Sequence, residues 1–154
     1  MLVHGGSGGV GHFAVQFAKA KGARVLTTVS TDNVDFARKL GADVVIDYKK
    51  PRFEDEASGL DMVFDLIDGE TRERSWKLLK KGGVLVTTLT DPSQDKAREH
   101  GVRATRYTVE ADGTELAKLL AWWHQARSNR MFRSARPPKH WARWKKDTRS
   151  ARSS

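Results

Sequence analysis

The opening of the chain limits what the rest can build. Met1-Leu-Val-His-Gly-Gly-Ser-Gly-Gly-Val-Gly11 is a short apolar run entering a loop with glycine at positions 5, 6, 8, 9 and 11. Apolar residues then recur at helical spacing, at Val10, Phe13, Ala14, Phe17 and Ala18. Strand, glycine turn and helix in that order is the context in which a G-x-G-x-x-G match, here Gly6, Gly8 and Gly11, has physical meaning. One glycine permits a tight turn, one lets the backbone approach a pyrophosphate, and one lets helix pack against strand. The helix start then offers free N–H groups and the positive end of its dipole to phosphate.

Beyond Gly22 the chain repeats an alternation of strand and helix. Ala23 to Ser30 is β-branched and apolar and reads as a second strand. Asp32 stands where it would cap the next helix, whose apolar side is Val34, Phe36, Ala37 and Leu40 and which Gly41 stops. Asp43 to Tyr48 is a third strand, and the polar stretch Pro51 to Gly59 sets Phe53 and Ala57 one helical turn apart. Leu60 to Ile67 is a fourth strand ending at Asp68-Gly69. A helix is expected from Thr71 to Lys81, with Trp76, Leu78 and Leu79 inward and Gly82-Gly83 as its stop. Val84 to Leu89 is a fifth strand, Asp91 to His100 a turn and polar helix, and Val102 to Val109 a sixth strand. A last helix runs from Gly113-Thr114 through Leu120. Six strands alternating with helices predict an α/β fold, a doubly wound parallel sheet covered on both faces.

Charge divides the chain in two. Residues 1–120 hold 18 Lys/Arg and 18 Asp/Glu, whereas residues 121–154 hold ten Lys/Arg against Asp147 alone and four of the five tryptophans. The whole net charge of +9 therefore sits in the tail. The expected division is a dinucleotide-binding domain over 1–120 and an irregular basic tail over 121–154. The absence of cysteine excludes disulfides and thiolate metal sites, and points to a cytoplasmic location. No apolar run approaches the ~20 residues of a membrane span.

Five pieces together resemble a known family. VHGGSGGVGHFAVQFAKAKGARV, FARKLGADVVIDY, DMVFDLIDGE, LLKKGGVLVTTL and RYTVEADGTELAKL stand in family order at family spacing. They resemble the cofactor-binding half of the medium-chain dehydrogenase/reductases, in the zinc-independent quinone oxidoreductase branch. The resemblance covers residues 1 to about 120. It implies a Rossmann fold, a nicotinamide cofactor, no zinc, and hydride transfer to a quinone, enone or other carbonyl compound. It also admits a homo-oligomer in the full-length family. The short-chain dehydrogenases need a Tyr-x-x-x-Lys pair, and four residues after Tyr48 and Tyr107 stand Arg52 and Ala111.

The candidate cofactor residues are Gly6, Ser7, Gly8, Gly9, Val10 and Gly11 of the loop, with Ser30, Tyr48 and Leu89 at later strand ends. Sites that prefer NAD(H) usually place an acid after the second strand to bond the ribose hydroxyls. Here Val29-Ser30-Thr31 stands there, which leaves room for a 2′-phosphate, and NADP(H) is preferred with NAD(H) as the alternative. The Lys or Arg usual just beyond is replaced by Asn33, with Arg38 one candidate substitute. Asp32 reads as a helix cap rather than a ribose ligand. His4 and His12, two lone histidines, read as packed or exposed groups. Tyr48 lies either beside the adenosine or at the sheet edge. Asp65 reads as a buried structural carboxylate, and Leu89-Thr90 as part of a nicotinamide pocket. No residue presents itself as a catalytic nucleophile or general base, so the chemistry falls to the cofactor.

The family's substrate-covering domain is not recognisable in this chain, so it is expected to bind dinucleotide weakly, turn over little, and expose apolar surface around the crevice. The tail admits three readings, of which the plainest is a disordered, soluble segment. Basic residues interleaved with aromatics can bind nucleic acid. Alternatively, one shift of reading frame turns Trp122 to Arg133 into Val-Ala-Pro-Gly-Lys-Val-Lys-Pro-His-Val-Ser. The same shift lets Arg143 to Ser154 become Val-Glu-Lys-Gly-His-Thr-x-Gly-Lys-Ile-Val. Both phrases resemble the family's ending, so an out-of-frame translation explains the Trp, Arg and Ser excess better than selected function does.

Overall fold

The computed structural model describes residues 1–50 and 52–110, with 112–114, 117, 118 and 121 beyond them. Six strands form one sheet: β1 (Leu2–His4), β2 (Leu26–Val29), β3 (Val44–Asp47), β4 (Leu60–Asp65), β5 (Leu79–Thr87) and β6 (Arg103–Arg106). Their order is β3-β2-β1-β4-β5-β6, and every pair is parallel. The connecting helices are α1 (Gly11–Ala20), α2 (Val34–Lys39), α3 (Gly69–Ser75) and α4 (Gln94–Glu99). The chain winds outward from β1 on one side, returns, and winds outward from β4 on the other. The crevice above the β1 and β4 C-terminal ends is the topological switch point.

Alternation along the strands supplies two cores. Leu2 joins Leu26, Ile46, Val63, Leu85 and Trp76 on one face, while its neighbour Val3 joins Val15, Val25 and Leu40 on the other. In β2, Leu26 to Val29 are all buried, as a strand covered on both sides requires.

Two local expectations fail. The helix after β4 ends at Ser75, Trp76–Leu78 forms a 3-10 turn, and Leu79 already pairs with Leu60. Gly82-Gly83 therefore stops no helix. It forms an irregularity inside β5, between the Leu60–Leu79 and Met62–Val84 pairs. Gly82 has φ +77, and a Cβ on Gly83 would lie 2.9 Å from the Lys80 carbonyl oxygen, so the kink excludes larger side chains. Trp76, Leu78 and Leu79 are nonetheless buried, as their spacing predicts.

Asp32 caps no helix. It lies inside a 3-10 turn, Thr31–Asn33, that starts from Ser30, and neither this turn nor α2 has a side-chain cap. Gly113, Thr114, Ala117, Lys118 and Ala121 are helical. The rest of the last expected helix, the 121–154 tail beyond Ala121 and all three readings of that tail lie outside the described residues.

Candidate functional site

The glycine loop is shaped by close approaches at its two ends. After β1, Gly5 takes φ +71 and accepts a hydrogen bond from the Gly8 amide at 2.9 Å. The Gly6 amide donates to the Thr28 carbonyl at 3.1 Å, and a Cβ there would fall 1.9 Å from the Thr27 hydroxyl oxygen. That hydroxyl is held by donating to the Val3 carbonyl at 2.8 Å. A Cβ on Gly11 would lie 2.1 Å from the Gly5 carbonyl oxygen, so α1 can start against the end of β1 only with glycine there. Gly9 has open space on its missing side. The positive φ belongs to Gly5, outside the three-glycine match.

Above this loop lies a crevice of about 470 Å³. It brings together Ser7, Gly8, Gly9, Val10 and Gly11 with Ser30 after β2, Tyr48 after β3 and Leu89 after β5. Gly6, the remaining candidate, lies behind it against β2. Leu66 and Ile67, which are not among the sequence candidates, come after β4 and also line the crevice. The switch-point rule applied to β4 as well as β1 would have found them.

Two properties of the crevice bear on what it can hold. The amides of Gly9, Val10 and Gly11 make no hydrogen bond among the described residues, so three N–H groups at the start of α1 are free for an acceptor. Four of the six large exposed apolar side chains among the described residues also line it: Val10 (55%), Tyr48 (57%), Ile67 (52%) and Leu89 (40%). No charged side chain lines it.

Beneath the loop, His4 is wholly buried and links three elements. Its Nδ1 lies 3.0 Å from the Thr28 hydroxyl and its Nε2 2.9 Å from the Ser75 hydroxyl. The proton positions follow from the outer partners. Ser75 donates to the Thr71 carbonyl at 2.7 Å, so it accepts from His4 Nε2–H. Thr28 accepts from the Gly5 amide at 3.3 Å and donates to His4 Nδ1. The neutral Nε2–H tautomer thus completes a chain from the glycine loop to α3. Burial pushes the His4 pKa down to about 4, against a smaller upward pull from Asp65. His12 is also buried, its Nδ1 2.8 Å from the Gly8 carbonyl, so both histidines pack inside the fold.

The turns after β4 and β5 are tied together. Asp65, fully buried, accepts from the amides of Ile67 and Asp68 at 3.0 Å each, which is the structural role expected of it. Asp68, at φ +67, accepts from the Thr90 hydroxyl at 2.6 Å and pairs with Arg72 at 2.8 Å. The Thr90 hydroxyl leads the interactions that hold the Asp68 carboxyl below the usual range. These bonds tie together the turns that carry Ile67 and Leu89, both of which line the crevice.

A second cleft of about 530 Å³ adjoins the first and shares Gly5, Tyr48 and Ile67 with it. Lys50, Arg52 and Arg74 line it. Arg74 bonds both oxygens of Glu54, at 2.5 and 2.6 Å, and stacks its guanidinium 4.7 Å from the Phe53 ring centroid. Hydrogen bonding from Arg74 brings the Glu54 carboxyl down to about 2. Among the described residues no group of three or more His, Asp or Glu side chains could hold a metal, and no helix is long and apolar enough to cross a membrane.

A parallel sheet in this order, with a glycine loop opening a helix at its switch point, defines the doubly wound dinucleotide-binding class. The chain matches the zinc-binding dehydrogenase family over residues 9–112 and belongs to it, in the quinone oxidoreductase-like branch of the medium-chain dehydrogenase/reductases. It is 42% identical over 103 residues to the mitochondrial NAD(P)H oxidoreductase RTN4IP1 of Danio rerio, covering 64% of this chain and 27% of that one. It is 36% identical over 124 residues to 2-methylene-furan-3-one reductase of Solanum lycopersicum, covering 77% and 29%. Mycobacterial Rv1454c complexed with NADPH superposes with a TM-score of 0.74 at 27% identity, covering 87% of this chain and 46% of that one. The chain thus spans under a third of the length of these curated relatives.

Proposed function

We propose that residues 1 to about 120 form the NADP(H)-binding half of an oxidoreductase that reduces a quinone, enone or related carbonyl compound. The observation that carries this reading is the pairing, in one crevice, of three unbonded amides at the start of α1 with four exposed apolar side chains around them. A pyrophosphate suits the amides, and the flat faces of adenine and nicotinamide suit the apolar rim. Gly9 leaves the loop floor open to a phosphate. The RTN4IP1 and Rv1454c names agree with a nicotinamide dinucleotide ligand.

When bound, the dinucleotide supplies the hydride. The chain's own residues hold and orient it. The Gly9, Val10 and Gly11 amides would hold the pyrophosphate, Ser30 and Tyr48 would contact the adenosine, and Ile67 and Leu89 would shield the nicotinamide from water. Among the described residues the Tyr48 phenol is the titratable side chain that lines this crevice. Substrate selection and turnover belong to a substrate-covering part, and the 154-residue chain by itself is proposed to bind without turning over.

Titration of the chain with NADPH, read by nicotinamide fluorescence, tests the proposal. Binding should saturate, and Gly9→Val should weaken it at least tenfold without moving the unfolding midpoint, because its Cβ meets no protein atom within 4 Å. Equal NADPH binding by the two proteins would refute the assignment.

A further inference from the structure

The crevice lacks a charge that an NADP(H) site needs. A 2′-phosphate brings about two negative charges to the adenosine ribose, and such groups are usually met by Lys or Arg. None lines the crevice. The usual position after β2 offers Ser30 and Asn33, and Asn33 Nδ2 donates to Ser30 Oγ at 2.8 Å. Ser30 then has its own O–H left to donate to an incoming oxygen, but no cation accompanies it.

The cations stand one strand away. β3 runs parallel to β2 with Asp47 paired to Val29, and the Tyr48 amide donates to the Val29 carbonyl at 3.1 Å. The residues after β3 therefore stand beside the residues after β2. A turn in which the Lys50 amide donates to the Asp47 carbonyl at 3.0 Å carries Lys50 and then Arg52 into the second cleft. Tyr48 lines both clefts and marks their junction.

The charge balance at that junction favours an anion. Arg74 is engaged by Glu54, whereas Lys50 and Arg52 make no ion pair among the described residues. No carboxylate among the described residues lines either cleft. Asp47 accepts from the Lys49 amide at 3.0 Å, and Asp47, Asp32 and Asp35 line neither cleft. His4, also in the second cleft, is neutral near pH 7.

We infer that Lys50 and Arg52, delivered by the turn after β3, are the cofactor-selecting residues that neutralise the 2′-phosphate of NADP(H), in place of a base after β2. Ser30 donates its hydroxyl to the same phosphate, and Tyr48 bridges the adenosine to it. This inference rests on the dinucleotide reading of the crevice.

The full chain is titrated calorimetrically with NADPH, NADH, 2′,5′-ADP and 5′-AMP, alongside the double variant Lys50→Ala/Arg52→Ala and the charge-keeping Lys50→Arg. Both side chains are exposed, and an unchanged thermal midpoint checks that the variants fold. The wild-type chain should prefer NADPH to NADH, and 2′,5′-ADP to 5′-AMP, by at least about tenfold, with a preference that shrinks as salt rises. The double variant should lose that preference while keeping its NADH affinity within about twofold, and Lys50→Arg should retain it. A preference that survives the double substitution, equal weakening toward NADH and NADPH, or no preference in the wild-type chain would each overturn the inference and leave dinucleotide binding standing. Failure of the wild-type chain to bind either dinucleotide would overturn both.

Discussion

Acidification should unfold this protein through His4 before its carboxylates protonate. In the folded chain the ring stays neutral down to about pH 4, whereas the ordinary value is 6.5. Between those values the unfolded chain binds a proton at position 4 that the folded chain refuses, so stability falls as pH falls. The gap corresponds to a loss of about 2 kcal/mol between roughly pH 7.5 and pH 5, rising to about 3 kcal/mol once the folded ring also protonates. The structural cost is specific. A proton on Nδ1 turns an acceptor into a donor, so the Thr28 hydroxyl loses the group it donates to, and the chain from Gly5 to Ser75 breaks. The assay is urea unfolding followed by circular dichroism at several pH values, for the wild-type chain and His4→Gln. Glutamine keeps one donor and one acceptor but does not titrate. The variant is expected to start less stable at neutral pH and then to change by about 2 kcal/mol less than wild type on acidification to pH 5. Groups other than the one at position 4 are common to the two proteins and cancel in the difference. Parallel curves for the two proteins would show that His4 is not held neutral, and the assigned tautomer chain would fall with it.

Glu54 should act at lower pH. Its carboxyl is held at about 2 against an ordinary 4.5, so the stability it contributes is full above 4.5 and is lost as pH falls toward 2. Glu54→Gln should flatten acid unfolding in that window, measured by circular dichroism. Gly11→Ala should destabilise the fold by about 2 kcal/mol or more in urea unfolding, because its Cβ would lie 2.1 Å from a backbone oxygen that cannot move aside. Gly9→Ala should cost under about 1 kcal/mol in the same assay. For the basic tail, which we propose is translated out of frame, resequencing the gene around codons 118–123 should reveal a frame encoding the Gly-Lys-Val-Lys-Pro and Gly-His-Thr endings. A gene without such a frame would dismiss the idea.

The sheet order was legible because one pattern recurs. Short apolar runs alternate with stretches of helical spacing along the chain, and the glycine loop marks where the winding begins. The end of α3 was not legible. Trp76, Leu78 and Leu79 satisfy a helical face, and the same residues satisfy a turn followed by a buried strand start, so local periodicity cannot separate the two. Only the pairing of Leu79 with Leu60, nineteen residues apart, decides it. Asp32 failed as a cap for a related reason: it lies inside the 3-10 turn Thr31–Asn33, which begins earlier than the apolar pattern suggests. The loop glycines, Ser30, Tyr48 and Leu89 could be placed because each follows a strand. The His4 chain could not, since its partners come from three separated segments and leave no local signature.

The close approaches within the glycine loop have a consequence for how such a site can diverge. Gly6 is hemmed by Thr27 and Gly11 by Gly5, so most substitutions at those positions break the fold before they alter any ligand preference. The loop is therefore a poor place to record a change of ligand. Variation survives more readily on the strand-end turns, where Ser30 and Asn33 are half-buried and Tyr48 and Lys50 are exposed. Two descendants of this chain could keep the loop letter for letter and still part company over what they bind.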